Sequence, residues 1–224
     1  MKGYLLISML AVSFALCGCN VYYADQATKR GVRAYETAKQ AQRHGDTQTA
    51  NTYYRQAQQE FQIAVDNDTT GPDRHYNLGR VCQDLEQYDR AVEAYDSAIS
   101  YFPGHHKAHW GKIYCLVKGR AAQARVDEAV TEAVGIVEPS RVYLTLAMSY
   151  YQIGRRGEVA EVLSKAARTG SMDAYVQAVV GRFYRAIGQT PMAIKHLRIA
   201  YKLNPNEPGV ARDLGALGQG LPPG

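Results

Sequence analysis

A set of residues in this chain returns every 34 positions. Val180-Gly181 sits 34 after Leu146-Ala147, which in turn sits 68, two periods, after Leu78-Gly79. The same spacing links Tyr150 to Tyr184, Gly154 to Gly188, Leu163 to Leu197 and Ala166 to Ala200, and Pro103 and Pro205 lie three periods apart. A fixed period of this length marks a stacked helix-turn-helix array, because one such unit cannot bury its own apolar face and must lean on the next. The chain of 224 residues therefore predicts one elongated all-α domain.

The clearest unit runs from about Pro72 to His105. Its first helix carries Leu78, Gly79 and Cys82, and its second carries Tyr88, Ala91, Tyr95, Ala98 and Ile99. Apolar residues three and four apart give each helix one stripe to bury. Gly79, Ala91 and Ala98 are small where the two helices should approach, and Pro103 ends the second helix. Arg141 to Asp173 repeats the pattern with Tyr143, Leu146, Ala147, Tyr150, Gly154, Val159, Leu163 and Ala166. Ala174 to Glu207 repeats it with Val180, Gly181, Tyr184, Gly188, Ala193, Leu197, Ala200 and Pro205. Gly154 and Gly188 suit a short turn between helices, where glycine takes a positive φ at little cost.

Leu-Gly, a ring, Ala, a ring, Ala and Pro in this order resembles the tetratricopeptide repeat, over about 180 residues from Gly31 to Leu217. The resemblance implies a right-handed α-solenoid with first helices lining a concave side. It also implies a protein that binds peptides or proteins rather than one that catalyses a reaction. Two parts depart from the pattern. Between residues 104 and 139, Trp110-Gly111 reads as a first helix two residues early and Val126 to Val130 as a second helix four residues late. That reading predicts a first helix or turn lengthened around Lys118 to Arg125 and a short second helix. Near the N-terminus, Gly45-Asp46, Ala50, Tyr54 and Ala57 read as a turn and a second helix that runs on through Phe61, Ala64 and Val65. The preceding helix, roughly Ala24 to Arg43, is rich in Ala and Gln and is expected to bury little. Residues 31–207 thus make about five units. Pro208 to Leu217 predicts a capping helix, as arrays need one to cover the last apolar face, and Gly218 to Gly224 a disordered tail.

The first residues read as a leader rather than as fold. Lys2 is a basic n-region, and Leu5 to Leu16 is an apolar stretch too short to span a bilayer. Leu16-Cys17-Gly18-Cys19 resembles the lipobox of bacterial lipoproteins, with Leu16 and Gly18 on pattern and Cys17 off it. The resemblance implies cleavage after residue 18 and acylation of Cys19, with residues 19–30 an anchor linker or the start of the first helix. Two or more acyl chains hold a protein stably on a membrane where one is marginal. Asn20 replaces the Asp of the family's inner-membrane retention signal, so the resemblance implies the outer membrane, on the periplasmic side. An ordinary cleaved signal peptide or an uncleaved anchor is the alternative reading.

In an exported chain Cys82 and Cys115 could bridge, although both fall in apolar helical stretches where a free cysteine acts as a small hydrophobe. With Leu78 and Gly79 turned inward, Tyr76, Asn77 and Arg80 face the expected groove, matched in later units by Lys112, Met148, Tyr151, Arg182 and Arg185. Cations among rings and a thioether suit a segment carrying carboxylates. Solvated helix faces are the plainer reading. The residues are not the set of the family's carboxylate clamp. Of the 17 tyrosines, Tyr88, Tyr95, Tyr150 and Tyr184 fall on core positions of the repeat, and core packing is expected to explain most of them.

His105, His106 and His109 form the one histidine cluster. Their spacing could put two imidazoles on one helix face, yet no Cys or Glu completes a familiar ligand set. No phosphate loop, nucleophile elbow or metalloprotease motif is present. The formal charge of +5 is too mild to argue for nucleic acid, and no motif of that kind appears. The expectation is a non-enzymatic, lipid-anchored scaffold that binds an acidic protein partner, without cofactor, metal or nucleic acid. It looks like the small repeat lipoproteins that assist pilus and secretion assembly. The alternatives are a periplasmic binding protein for a peptide or cell-wall fragment, and a metal protein centred on the histidines.

Overall fold

A computed structural model describes residues 2–221, with side chains from Asn20 onward. It is all-α among the described residues. The chain divides into two compact units, Met1–Cys115 and Leu116–Gly224. Unit 1 holds α1 (Lys2–Arg43), α2 (Thr47–Asn67), α3 (Pro72–Asp84) and α4 (Tyr88–Tyr101), and α5 (His106–Lys118) carries the chain onward. Unit 2 holds α6 (Gln123–Ile136), α7 (Pro139–Gln152), α8 (Arg156–Thr169), α9 (Ala174–Ala186), α10 (Thr190–Leu203) and α11 (Val210–Ala216).

Three of the hairpins, α1–α2, α3–α4 and α9–α10, close where a glycine of the first helix meets a large side chain of the second. A Cβ at Gly79 would stand 2.7 Å from the Tyr95 ring, and one at Gly181 would stand 2.8 Å from Leu197. Interiors packed to crystal density leave no room for that extra carbon. The α1–α2 hairpin uses the same device at Gly31, 2.7 Å from the Phe61 ring. Its seam is longer: Ala24, Ala27, Gly31, Ala34 and Ala38 are buried along α1, and Ala50, Tyr54, Ala57, Phe61 and Ala64 along α2. Both sets step by three and four, the spacing of a helix–helix seam. The expectation that α1 buries little is therefore wrong. Small residues let two backbones come close, and close approach replaces bulk as the source of contact.

Four left-handed turns fall on one 34-residue frame, Glu86 (φ 58), Arg120 (φ 57), Gly154 (φ 81) and Gly188 (φ 83), whereas Gly45 between α1 and α2 lies off it. Arg120 keeps its place in that frame, so the stretch between residues 104 and 139 is not shifted. α5 has 13 residues and α6 has 14, the same lengths as α3 and α4. The expected long first helix is absent because Trp110-Gly111 does not correspond to Leu78-Gly79. Gly111 instead lies under the Tyr95 ring, which leaves no space for a Cβ there, so Tyr95 is held by a glycine from α3 and another from α5.

Buried polar side chains repeat as well. Tyr54 donates to Gln42 Oε1 at 3.0 Å and Tyr95 to Gln83 Oε1 at 2.9 Å, each reaching 12 residues back across its turn. His75 Nε2 meets the Thr69 carbonyl at 2.7 Å, and His109 Nε2 the Pro103 carbonyl at 2.8 Å. Gln177, on the same frame in unit 2, donates to the carbonyls of Ala167 at 3.0 Å and Gly170 at 3.1 Å. One repeat position thus pins the link that precedes α3, α5 and α9 and satisfies carbonyls that burial would otherwise strand.

At the C-terminus, Val210 and Leu214 of α11 close over Ala178, Leu197 and Ala200, which makes α11 the capping helix of the array. α1 is continuous from Lys2 to Arg43. The side chains of Leu16, Cys17, Gly18 and Cys19, on which the lipobox reading rests, lie outside the described residues. No helix among the described residues is long and apolar enough to cross a membrane.

Candidate functional site

The eight groove residues divide four and four between the units. In unit 1, Tyr76, Asn77 and Arg80 lie half-buried on α3. Arg80 Cζ is 4.5 Å from the centroid of the Tyr35 ring and 5.6 Å from that of Tyr76, so the guanidinium lies between a ring of α1 and a ring of α3. Tyr76 is itself backed by His105 at 4.8 Å and Tyr95 at 5.9 Å between centroids. Such cation–π contacts contribute about 0.5–2 kcal/mol each, and although the Tyr35 hydroxyl takes part of its N–H edge, the guanidinium keeps further donors for an acceptor.

That edge has no carboxylate among the described residues. Asp84, one helical turn on, is the natural ion-pair partner of Arg80. It is held elsewhere: Tyr35 Oη donates to Asp84 Oδ2 at 2.5 Å, and Lys39 Nζ lies 3.3 Å from Oδ1. Burial and this hydrogen bond push the Tyr35 phenol far above its ordinary value, and burial with the charge of Asp84 pushes Tyr54 up to about 12. Burial raises Tyr76 too. The rings therefore stay neutral at physiological pH, and Tyr35 remains a donor that keeps Asp84 turned towards α1. Lys112 of α5 pairs with Asp96 at 2.7 Å.

In unit 2, Met148 and Tyr151 are exposed on α7, and Tyr151 meets Phe183 of α9 edge-on at 6.0 Å. The two arginines are committed. Arg182 Nε lies 2.6 Å from Asp213 Oδ2, its Nη2 donates to the Pro208 carbonyl at 2.5 Å, and Arg185 Nη1 lies 3.5 Å from Asp213 Oδ1. Asp213 comes from α11 and is 5% exposed. Among the predicted groove residues, unit 2 thus presents rings and a thioether, with Arg182 and Arg185 already paired by the chain's own carboxylate. Arg141, not singled out from the sequence, also stacks there, 4.2 Å from the Tyr175 ring and 3.5 Å from Asp173.

The three histidines of the cluster are divided among separate tasks. His105 Nδ1 accepts from the Ala108 amide at 3.2 Å and its Nε2 lies 3.4 Å from Asp73. His109 holds the Pro103 carbonyl, and His106 is exposed against Trp110 at 5.0 Å. No group of three His, Cys, Asp or Glu among the described residues could hold a metal ion. Cys82 and Cys115 are buried free thiols. Burial pushes the Cys115 thiol up to about 12 and raises Cys82, so neither offers a reactive thiolate.

Tyr35, Lys39 and Asp84 are the part of the unit 1 site that sequence reasoning missed. One signal was available. First-helix residues that touch across neighbouring units lie 31 or 32 apart, as with Asp73 and His105, Arg141 and Asp173, and Arg182 and Asp213. Counting 32 on from Arg80 lands on Lys112, a cation rather than an acid.

These helical hairpins, joined by left-handed turns on a 34-residue frame, define the class of helix-turn-helix repeat arrays, whose extended surfaces serve as interaction scaffolds. Residues 76–136 match the family model described as tetratricopeptide repeat. Over those residues the chain carries tetratricopeptide-repeat sequence. No curated protein sequence matches it. Among solved structures it is similar to a thermophilic tetratricopeptide-repeat protein of Thermus thermophilus, at 15% identity over 84% of this chain and 98% of that one, with a TM-score of 0.44. It is also similar to MamA from Desulfovibrio magneticus, at 17% identity over 80% and 97%, with a TM-score of 0.45. PilW, a type IV pilus biogenesis factor, matches at 16% identity over 83% and 86%, with a TM-score of 0.47. Likenesses of this size say nothing of function.

Proposed function

We propose that this chain is a non-enzymatic scaffold that holds an acidic segment of a protein partner on the first-helix face of unit 1. The observation that carries the reading is Arg80, fixed between the Tyr35 and Tyr76 rings while Tyr35 and Lys39 divert Asp84 from it. An arginine ordered in this way loses little side-chain entropy when a carboxylate docks on its open edge, and a charge-assisted bond of that kind is among the stronger ones available. Asn77, on the same helix, supplies a neutral donor and acceptor for the partner's backbone.

The finer part of the proposal is location. The lipobox-like Leu16 to Cys19 would tether the array on the periplasmic side of a bacterial envelope, with the outer membrane favoured by Asn20. A repeat array behind such a leader fits a part in envelope assembly, such as pilus or secretion-complex biogenesis.

Fluorescence anisotropy with Asp- and Glu-rich peptides tests the binding face. Arg80→Glu is expected to weaken binding roughly 100-fold, as losing one partner of a buried charge pair costs about 3 kcal/mol. Arg182→Glu should change it less than about twofold, because that arginine already serves Asp213. Equal losses from both variants, or none from Arg80→Glu, would sink the proposal. Palmitate labelling tests the anchor separately: label that persists in Cys19→Ser rules it out.

A further inference from the structure

Unit 2 carries the entire net charge of the chain. Leu116 to Gly224 holds 14 Lys and Arg against 9 Asp and Glu, whereas the residues before it hold 12 of each. Most of the acids of α7 to α11 are engaged: Asp213 with Arg182 and Arg185, Asp173 and Glu138 with Arg141, Glu158 with Arg155, and Glu161 with Lys165. Three of the cations without a carboxylate partner lie together on the outward face of α10. Lys195, Arg198 and Lys202 are exposed there at steps of three and four, one straight row along the helix. The opposite face, with Ala193, His196, Leu197 and Ala200, is buried.

Pro191, Ile194 and Ile199 complete this face, and together the six residues line an open recess of about 470 Å³. No carboxylate among the described residues pairs with the three cations, and Arg198 Nη2 has a neutral partner, Gln219 Oε1, at 2.8 Å. We infer that this face of α10 is a docking surface for the anionic headgroups of a phospholipid bilayer. Seven helical steps, from Lys195 to Lys202, set the cations along roughly 10 Å, the scale over which a charged headgroup layer acts as a continuous field. Branched aliphatics beside them suit the boundary between headgroups and acyl chains. An acidic protein partner fits less well, since protein interfaces are held by aromatic or arginine anchors in closed pockets, and this recess has no ring and leaves its one arginine, Arg198, on an open face. The inference rests neither on the Arg80 face nor on acylation of Cys19.

Sedimentation of the full-length chain with two kinds of vesicle tests it: phosphatidylcholine alone, and phosphatidylcholine mixed with phosphatidylglycerol. The readout is the ratio of the two affinities, which cancels any contribution of the apolar leader. Three surface cations predict a preference for the anionic vesicles of roughly 100-fold at low salt, falling as the Debye length shortens. Lys195→Glu, Arg198→Glu and Lys202→Glu together should abolish the preference while neutral-vesicle binding and the melting temperature stay unchanged. Arg80→Glu should leave the preference intact. A wild-type chain with no preference overturns the inference, as does a preference that survives the triple reversal. It is also overturned if the three cations bind a glutamate-rich peptide and show no preference among vesicles.

Discussion

The two units solve one electrostatic problem in opposite ways. Each places an arginine on a first helix with an acid in reach. In unit 1 the acid, Asp84, is drawn off by the Tyr35 hydroxyl and Lys39, and Arg80 is left held by two π faces. In unit 2 the acid, Asp213, is delivered by the capping helix and engages both Arg182 and Arg185. A cation held by rings keeps its hydrogen-bonding edge for another molecule, whereas a cation held by a carboxylate has become part of the fold. The same residue type at related positions therefore serves recognition in one half and cohesion in the other.

The largest expected effect comes from removing the internal carboxylate. Asp213→Ala leaves two arginines without their acid and loosens the contact of α11 through Arg182 and the Pro208 carbonyl. Both arginines are partly solvated, with side chains 34% and 43% exposed, so the loss is expected at about 2 kcal/mol rather than the higher figure for a fully buried pair. Urea unfolding followed by circular dichroism checks it. A midpoint that does not move would mean that α11 is held by Val210 and Leu214 alone, and the contrast between the units would lose its second half.

A smaller effect should follow in unit 1 from Tyr35→Phe with Lys39→Ala, which keeps the ring under Arg80 but releases Asp84. Loss of a hydrogen bond to a charged, mostly buried group costs about 1.5 kcal/mol of stability. The freed Asp84 can then swing to Arg80, one turn away, and affinity for an acidic peptide should fall about threefold. Unchanged affinity in the double variant would show that Asp84 never competes for Arg80, and that the ring stack alone sets the site.

The repeat frame was legible because it depends on local spacing: small residues against large ones within a hairpin, and turns one period apart. It misled only where a dipeptide looked right for the wrong reason. Trp110-Gly111 imitates the Leu-Gly of a first helix, while its glycine in fact makes room for Tyr95 of the helix before. The α1–α2 seam was undervalued because alanine scores low as an apolar residue, yet close approach is what alanine allows. At the site, the register of Leu78 and Gly79 was enough to place Tyr76 and Arg80 on one face. It could not place Tyr35, which lies 45 residues earlier on a helix whose packing no motif announces. Nor did it show that Arg182 and Arg185 meet an acid 31 and 28 residues ahead.

The smallest expected effect concerns pH and belongs to unit 2. His196 is buried on α10, its Nδ1 2.8 Å from Gln177 Oε1 and its ring stacked on Tyr184 at 5.4 Å. Gln177 in turn holds the carbonyls at the end of α8, so one polar chain ties three helices together. Burial, with a minor contribution from Lys195, lowers the proton affinity of His196 below its ordinary value of 6.5. The unfolded chain then binds a proton at a pH where the folded one does not, so stability rises with pH across that interval. The contribution is complete above about pH 6.5 and is lost as the pH falls through the folded value beneath it. His196→Phe keeps the stack on Tyr184 but cannot titrate. It should lower stability at about pH 7.5 through the stranded Gln177 oxygen, and it should flatten the decline between about pH 7.5 and about pH 5.5 relative to wild type. Parallel thermal melts at the two pH values make the comparison, and equal declines in the two proteins would remove His196 as the titrating group.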